Sequence, residues 1–266
     1  MIKLGVNSVL FGGYDYATAA EYIAAAGYDG IEISAIKGMC EHLPLDNWKE
    51  HAGRLKDITA GNGLEFLSME AAALDEDRLT KAFEAGAELG IPVVNVGPGG
   101  DSDVEEDFQK QTDILAERAQ KAEQYGITLC VKAHVGGAIY NTPTTLRAME
   151  KIQSPAFGID MDPSHIYRGG EKPDQALRQV VSRVKHIHIR DCPDRGPKPG
   201  EPRFQSCGRG EIDLPAYCKA LVDEGYSGPV CLEVIGAKEL ELPHVCIIAA
   251  ESYGYLNACF STFGAR

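Results

Sequence analysis

ITLCVKAHVGGAIYNTPTTLRAMEKIQSPAFGIDMD, running from Ile127 to Asp162, holds the pattern that decides the fold. It opens on an apolar, β-branched run, ITLCVKA. It crosses a polar loop and enters a helical stretch, TPTTLRAMEKI, with proline near its start. It closes on a second apolar run, FGIDMD. Runs of this length and composition are what buried strands require, and proline is tolerated at a helix start because the first N–H groups have no partner there. Two strands joined through a helix make one unit of a parallel sheet.

Outward from this stretch the unit repeats. Upstream lie KLGVNSV from Lys3, GIEIS from Gly30, LEFLSM from Leu64 and PVVNVG from Pro92. Downstream lie VKHIHIR from Val184 and PVCLEVI from Pro229. Helical patterns separate them: YATAAEYIAAAG, NWKEHAGRLKDITAGNG, DEDRLTKAFEAGAELG and EEDFQKQTDILAERAQKAEQYG each end on a glycine suited to the left-handed position that closes a helix. LPAYCKALVDEGYSG follows, and LPHVCIIAAESYGYLNACF from Leu242 is apolar enough to be half buried. About eight alternations predict an α/β (β/α)8 TIM barrel, one domain over residues 1–266. The rival, a doubly wound open sheet, lacks its G-x-G-x-x-G phosphate loop. GPGG at Gly97 and GRG at Gly208 are too short to replace it.

Composition narrows the function. The chain has 26 Lys and Arg against 39 Asp and Glu, a formal net charge of −13, without a basic run to track phosphates. Nucleic acid and anionic membranes are therefore disfavoured as partners. The eight cysteines are scattered and none forms C-x-x-C, which predicts a reduced, cytoplasmic setting. MIKLGVNSVLFGG lacks the apolar core of a signal peptide, and no apolar stretch has membrane-spanning length.

Barrel enzymes carry their chemistry at the C-terminal ends of the strands, and side chains alternate inward and outward. Polar residues of one parity near those ends are Lys132 and His134, Asp160 and Asp162, His186, His188 and Arg190, and Glu233, with Asn7, Glu32, Ser34, Glu70 and Asn95 on the earlier strands. Charges placed inside a barrel are costly unless paired or metal-bound. Asp162, His188 and Glu233 on successive strands would suit a divalent cation such as Mn²⁺, Mg²⁺, Co²⁺ or Zn²⁺. A long loop, DCPDRGPKPGEPRFQSCGRGEID from Asp191, carries Arg195, Lys198, Arg203 and Arg209, which could bring positive charge over an anionic substrate as a lid.

Five motifs in order carry a resemblance. DMDPSH presents Asp162 and His165 as D-x-x-H. VKHIHIRD is an aliphatic run ending in H-[VI]-H-x-[KR]-D. GRGEID, GYSGPVCLEV and GYDGIEIS match G-x-G-x-[IL]-D, the G-Y-x-G strand pattern ending in Glu, and A-G-[FY]-[DE]-G-[IV]-E. Together they resemble the xylose isomerase-like superfamily of TIM barrels, which holds sugar isomerases, epimerases and endonuclease IV-type enzymes. The resemblance implies a metal held by Glu, Asp, His and Glu on the last four strands. The last three fall on Asp162, His188 and Glu233, and the D-x-x-H histidine falls on His165. The first does not carry over: where the family strand ends E-x-H, this one reads Lys132-Ala133-His134. An ammonium has no lone pair to ligate a metal. Either His134 or Glu70 completes the metal shell, or Lys132 neutralises the acidic cluster, or Lys132 is itself catalytic.

The leading expectation is a metal-assisted sugar or sugar-acid isomerase/epimerase working through an enediolate-type intermediate, with Glu233 as base and Lys132 as acid. The alternative is a lyase, a dehydratase or decarboxylase of a keto sugar acid, that uses Lys132 as acid or base. A non-catalytic sugar-binding barrel is the lesser alternative. Expected substrate contacts are Glu70, His134, His165, Arg190 and Arg209. The expected partner is a small carbohydrate or sugar acid, and the resemblance implies a homo-oligomer.

Overall fold

Each apolar run becomes a strand, and the strands close on themselves. The computed structural model describes residues 1–266. In chain order the strands are β1 (Leu4–Asn7), β2 (Gly30–Ile36), β3 (Cys40–Glu41), β4 (Glu65–Ala72), β5 (Val93–Val96), β6 (Thr128–Lys132), β7 (Phe157–Asp160), β8 (Val184–Ile189) and β9 (Val230–Leu232). The hydrogen-bonded order is β1-β9-β8-β7-β6-β5-β4-β2, and β1 pairs with β2 to complete a closed parallel barrel of eight strands. The two-residue β3 lies outside that ring, antiparallel to β2, and no apolar run marks it in the sequence.

The outer layer comprises α1 (Tyr16–Ala26), α2 (Trp48–Gly61), α3 (Glu76–Leu89), α4 (Glu105–Glu123), α5 (Thr142–Lys151), α6 (Pro163–Arg168), α7 (Pro173–Val180), α8 (Pro202–Gln205), α9 (Leu214–Asp223) and α10 (Leu242–Thr262). Asp15 caps α1 by accepting from the Thr18 N–H at 2.9 Å, and Gly27 ends it at φ +102°, the left-handed turn expected of that glycine. The helical patterning gave no sign of α6 and α7. Gly169, Gly170 and Pro173 divide that segment into two short pieces: α6 is too brief for a periodic stripe, and α7 carries a short one at Pro173, Ala176, Leu177 and Val180.

The barrel interior is layered. Near its floor, small residues make room for one another. A Cβ added to Gly5 would lie 2.7 Å from Leu67 Cδ1 and 2.9 Å from Cys231 Sγ. Above them the inward positions turn polar: Asn7, Glu32, Ser68, Glu70, Asn95, Lys132, Asp160, His186, His188 and Glu233 are all buried. The predicted long loop between β8 and α9 is irregular except for α8. Its base is tied by Asp191, whose carboxylate accepts backbone N–H groups of Cys192, Gly208 and Ile212 at 2.9–3.1 Å. No helix is long and apolar enough to cross a membrane.

Candidate active site

Asp160, at the end of β7, organises the lower part of the site. Its Oδ1 accepts from His186 Nδ1 at 3.0 Å and from the His188 backbone N–H at 2.9 Å, and its Oδ2 accepts from His188 Nδ1 at 2.5 Å. The other ring nitrogen of His188 donates to Glu32. Glu32 is held in turn by Asn95 Nδ2 at 2.6 Å, and His186 Nε2 lies 2.9 Å from Ser68 Oγ. Burial opposes charge on His188, yet the Asp160 and Glu32 carboxylates outweigh it and hold the ring pKa well above the ordinary value. The imidazole is thus a doubly donating cation spanning the barrel axis.

Lys132 sits above this layer, only 5% exposed. Its Nζ donates to Glu233 Oε1 at 2.9 Å and lies 3.8 Å from Glu70 Oε1 and 3.9 Å from Asp160 Oδ2. Burial would lower its pKa, but the carboxylates of Glu233, Glu70 and Asp160 drive it upward instead. The two glutamates diverge. Burial raises Glu70 to about 8 despite the nearby ammonium, with the Glu233 charge adding to the rise. Glu233 meets the same burial, but Lys132, His188 and Arg190 draw it far below the usual carboxylate range. One carboxyl group is therefore held largely protonated near neutrality while the other stays ionised.

Arg190, two residues past His188, forms the third cationic point. Its Nη2 donates to Asp162 Oδ2 and to His165 Nε2, both at 3.0 Å, its Nε donates to Ser164 Oγ at 2.9 Å, and its Nη1 lies 3.1 Å from Glu233 Oε2. Asp162 caps the short α6 through the Ser164 N–H at 2.8 Å, which places His165 and, one turn on, Arg168 over the mouth. The Val135 N–H lies 3.2 Å from His165 Nδ1, and the His165 ring lies 4.1 Å from that of His134. Burial, then the Arg190 charge, depress the His165 pKa well below normal, so that ring is neutral.

These groups open onto a cleft of about 320 Å³ at the C-terminal mouth of the barrel. Glu70, Lys132, His134, His165, Arg190 and Glu233 line its base, and Arg168 with Pro197, Lys198 and Pro199 forms one wall. Ala72, at the end of β4, also lines it at φ +63°, a left-handed conformation that alanine adopts at a cost.

The expected substrate contacts Glu70, His134, His165 and Arg190 therefore share one cleft with Lys132 and Glu233. Arg209 does not. It faces the outside of the barrel, where its Nε donates to Glu251 Oε2 at 2.7 Å, and Arg203 beside it pairs with Glu201 at 3.1 Å. Only the Lys198 portion of the loop reaches the mouth, because Asp191 fixes the loop base and turns its later half toward α10. Arg195 stacks on Tyr167, 4.0 Å from the ring centroid.

The expected metal set Asp162, His188 and Glu233 does not converge on a common point. Asp162 is engaged by Ser164 and Arg190, His188 by Asp160 and Glu32, and Glu233 Oε1 by Lys132, while the buried Glu233 Oε2 lies 3.1 Å from Arg190 Nη1 without a hydrogen-bond partner. Groups that could hold an ion are present, with ligand atoms within 4.8 Å of one another: Glu32–Glu70–His188, Asp160–His186–His188 and Glu32–His186–Cys231. Asp162 and Glu233 belong to none of them. With Asp162 and Glu233 outside these groups and an ammonium, which has no lone pair, at the fourth position, the arrangement does not fit the implied quartet.

Arg168 is the cleft residue that sequence reasoning missed. The signal was its spacing: it follows His165 by three, the interval that stacks two side chains on one helix face. The split helix hid that spacing. Glu32 and Asp160 were visible by strand parity, but not their role as clamps on His188.

A sequence profile described as the xylose isomerase-like TIM barrel matches residues 20–252. The 3-dehydroshikimate dehydratase of Pseudomonas putida is 25% identical over 236 residues, covering 80% of this chain and 35% of that protein. The inosose dehydratase of Clostridium perfringens (strain 13 / Type A) is 24% identical over 163 residues, covering 56% of this chain and 54% of that protein. The matches thus span about half or less of the curated relatives' length. Among solved structures, the IOLI protein with a bound zinc atom superposes with a TM-score of 0.79 at 22% identity, covering 98% of this chain and 100% of that chain. The profile match extends from α1 into α10, and on that ground the chain belongs to the xylose isomerase-like TIM barrel family.

Proposed function

We propose that the chain is a lyase that removes water from a small keto sugar or keto sugar acid. The observation that carries this reading is the buried Lys132 ammonium set between two carboxyl groups, 2.9 Å from Glu233 and 3.8 Å from Glu70, with burial raising Glu70 and the neighbouring cations lowering Glu233. Elimination next to a carbonyl needs those three parts: a base, an acid and a fixed positive charge for the developing enolate oxygen. In the proposed course, Glu233 takes the proton from the carbon beside the carbonyl. The C–H electron pair moves onto the carbonyl oxygen, which Lys132 and Arg190 receive with N–H bonds. When the carbonyl re-forms, the β C–O bond breaks and the hydroxyl leaves as water with the proton of Glu70. Proton exchange with solvent then resets the two carboxyl groups. Every step here uses the chain's own residues, because the site does not fit the implied metal quartet.

The cleft also favours an anionic substrate. Arg168 donates to the Pro197 and Ser164 carbonyls, lies 3.0 Å from His165 Nδ1 and has no carboxylate partner, and Lys198 stands on the same wall. A substrate carboxylate at that wall would leave its carbonyl free to reach Lys132. The relatives named as dehydratases support this reading over the isomerase/epimerase that the sequence put first. Epimerisation keeps one argument of its own, since Glu70 and Glu233 both approach Lys132 and could serve two faces of a carbon. A cytoplasmic setting and self-association through the α10 side, where Ile247 is exposed, are further parts of the proposal; sedimentation velocity tests the latter.

Product mass tests the reaction. With 3-dehydroshikimate and with inosose as substrates, mass spectrometry is expected to find a product lighter by one water. A product of unchanged mass that carries deuterium from heavy water would establish the isomerase/epimerase instead.

A further inference from the structure

Three of the four ligand positions that the family resemblance implies are retained in this chain, yet Asp162, His188 and Glu233 do not converge on a common point for a metal. We propose that the divalent cation has been replaced by one the chain supplies itself, the Lys132 ammonium, with Arg190 completing the substitution, so that the enzyme is metal-independent.

Three observations carry this. Lys132 replaces the missing glutamate, and its nitrogen lies within 3.9 Å of three carboxyl groups, Glu233, Glu70 and Asp160, of which Glu233 is one of the implied ligands. The remaining ligands have been reassigned. Both oxygens of Asp162 are taken, one by the Ser164 N–H and the other by Arg190, and Glu233 Oε1 accepts from Lys132 while its Oε2 only approaches Arg190 Nη1, at 3.1 Å. The third observation is His188, whose two nitrogens lie against Asp160 and Glu32 and not at a point shared with Asp162 and Glu233. A dication brought into this cluster would meet the Lys132 ammonium and the Arg190 guanidinium within a buried, poorly screened site. The ammonium and guanidinium can still polarise a carbonyl, by donating hydrogen bonds rather than by coordination. Metal content does not depend on which reaction the site performs, so this inference can fail while the lyase reading stands, and the converse.

The test measures metal binding directly. Wild-type protein, purified without chelator and dialysed, is analysed by inductively coupled plasma mass spectrometry and titrated calorimetrically with Mn²⁺, Co²⁺ and Zn²⁺. It is expected to carry far less than stoichiometric metal and to show no saturable uptake or rise in Tm. Lys132→Glu restores the fourth carboxylate and removes the competing charge. It is expected to take up the ions stoichiometrically and to gain several degrees in Tm with them. Stoichiometric metal in the wild type, or a metal-induced Tm rise equal to that of the variant, would overturn the proposal. So would a Lys132→Glu protein that is folded by circular dichroism yet takes up no ion. Should that variant not fold, the wild-type measurement decides alone.

Discussion

Removing the Lys132 ammonium, as in Lys132→Met, leaves Glu70, Asp160 and Glu233 facing one another without their shared counter-charge. Breaking a buried pair in this way costs about 3–5 kcal/mol, to be read as a lower denaturation midpoint. Loss of the donor to a developing enolate oxygen is expected to lower kcat by about 10²- to 10³-fold, measured on whichever substrate the product assay identifies. Arg168 acts differently. If it receives the substrate carboxylate, Arg168→Ala raises KM by about 10- to 100-fold with little change in kcat. A matched loss of kcat would move Arg168 from binding to chemistry. The identity and inward direction of Lys132 were legible in the sequence, because strand parity fixes which way a side chain points. Its partners were not. Whether Asp162 turns to a metal or to Arg190 depends on rotamers and on Ser164 beside it, and no periodicity records that choice.

The elements divide into those with a repeating signal and those without. Eight strands were readable as apolar runs, and most of the long helices from their glycine ends. The pair α6 and α7 was not, since a helix of six residues is held by its capping Asp162 and by packing rather than by a stripe of its own. That missed element is what positions His165 and Arg168. The long loop after β8 was recognised as a loop, but its direction was not, because the buried Asp191 carboxylate that anchors it gives no local pattern. Its placement reverses the expectation for the lid arginines. Arg203→Ala combined with Arg209→Ala is expected to leave KM for an anionic substrate unchanged, since both side chains pair on the outer surface. A rise in KM would mean that the loop folds over the mouth during turnover.

At the scale of the whole barrel, two opposite demands are met in layers. The floor is tight and apolar, and Gly5→Ala is expected to lower stability by about 1–3 kcal/mol through overpacking against Leu67 and Cys231, seen as a fall in Tm. The mouth is polar and collects cations, although the chain as a whole carries a net charge of −13. That charge argued only against nucleic acid when read from composition. In the folded molecule part of it is local, since Glu32, Glu70, Asp160, Asp162 and Glu233 line one barrel interior and are answered there by Lys132, His188 and Arg190. The most direct test of this arrangement is a crystal structure of the wild-type protein, grown with a keto acid and with Mn²⁺ present. The account predicts Lys132 Nζ within hydrogen-bond distance of both Glu233 and the ligand's keto oxygen, with no ion among Asp162, His188 and Glu233. A metal bound by those three side chains, with Lys132 turned out of the cluster, would contradict it.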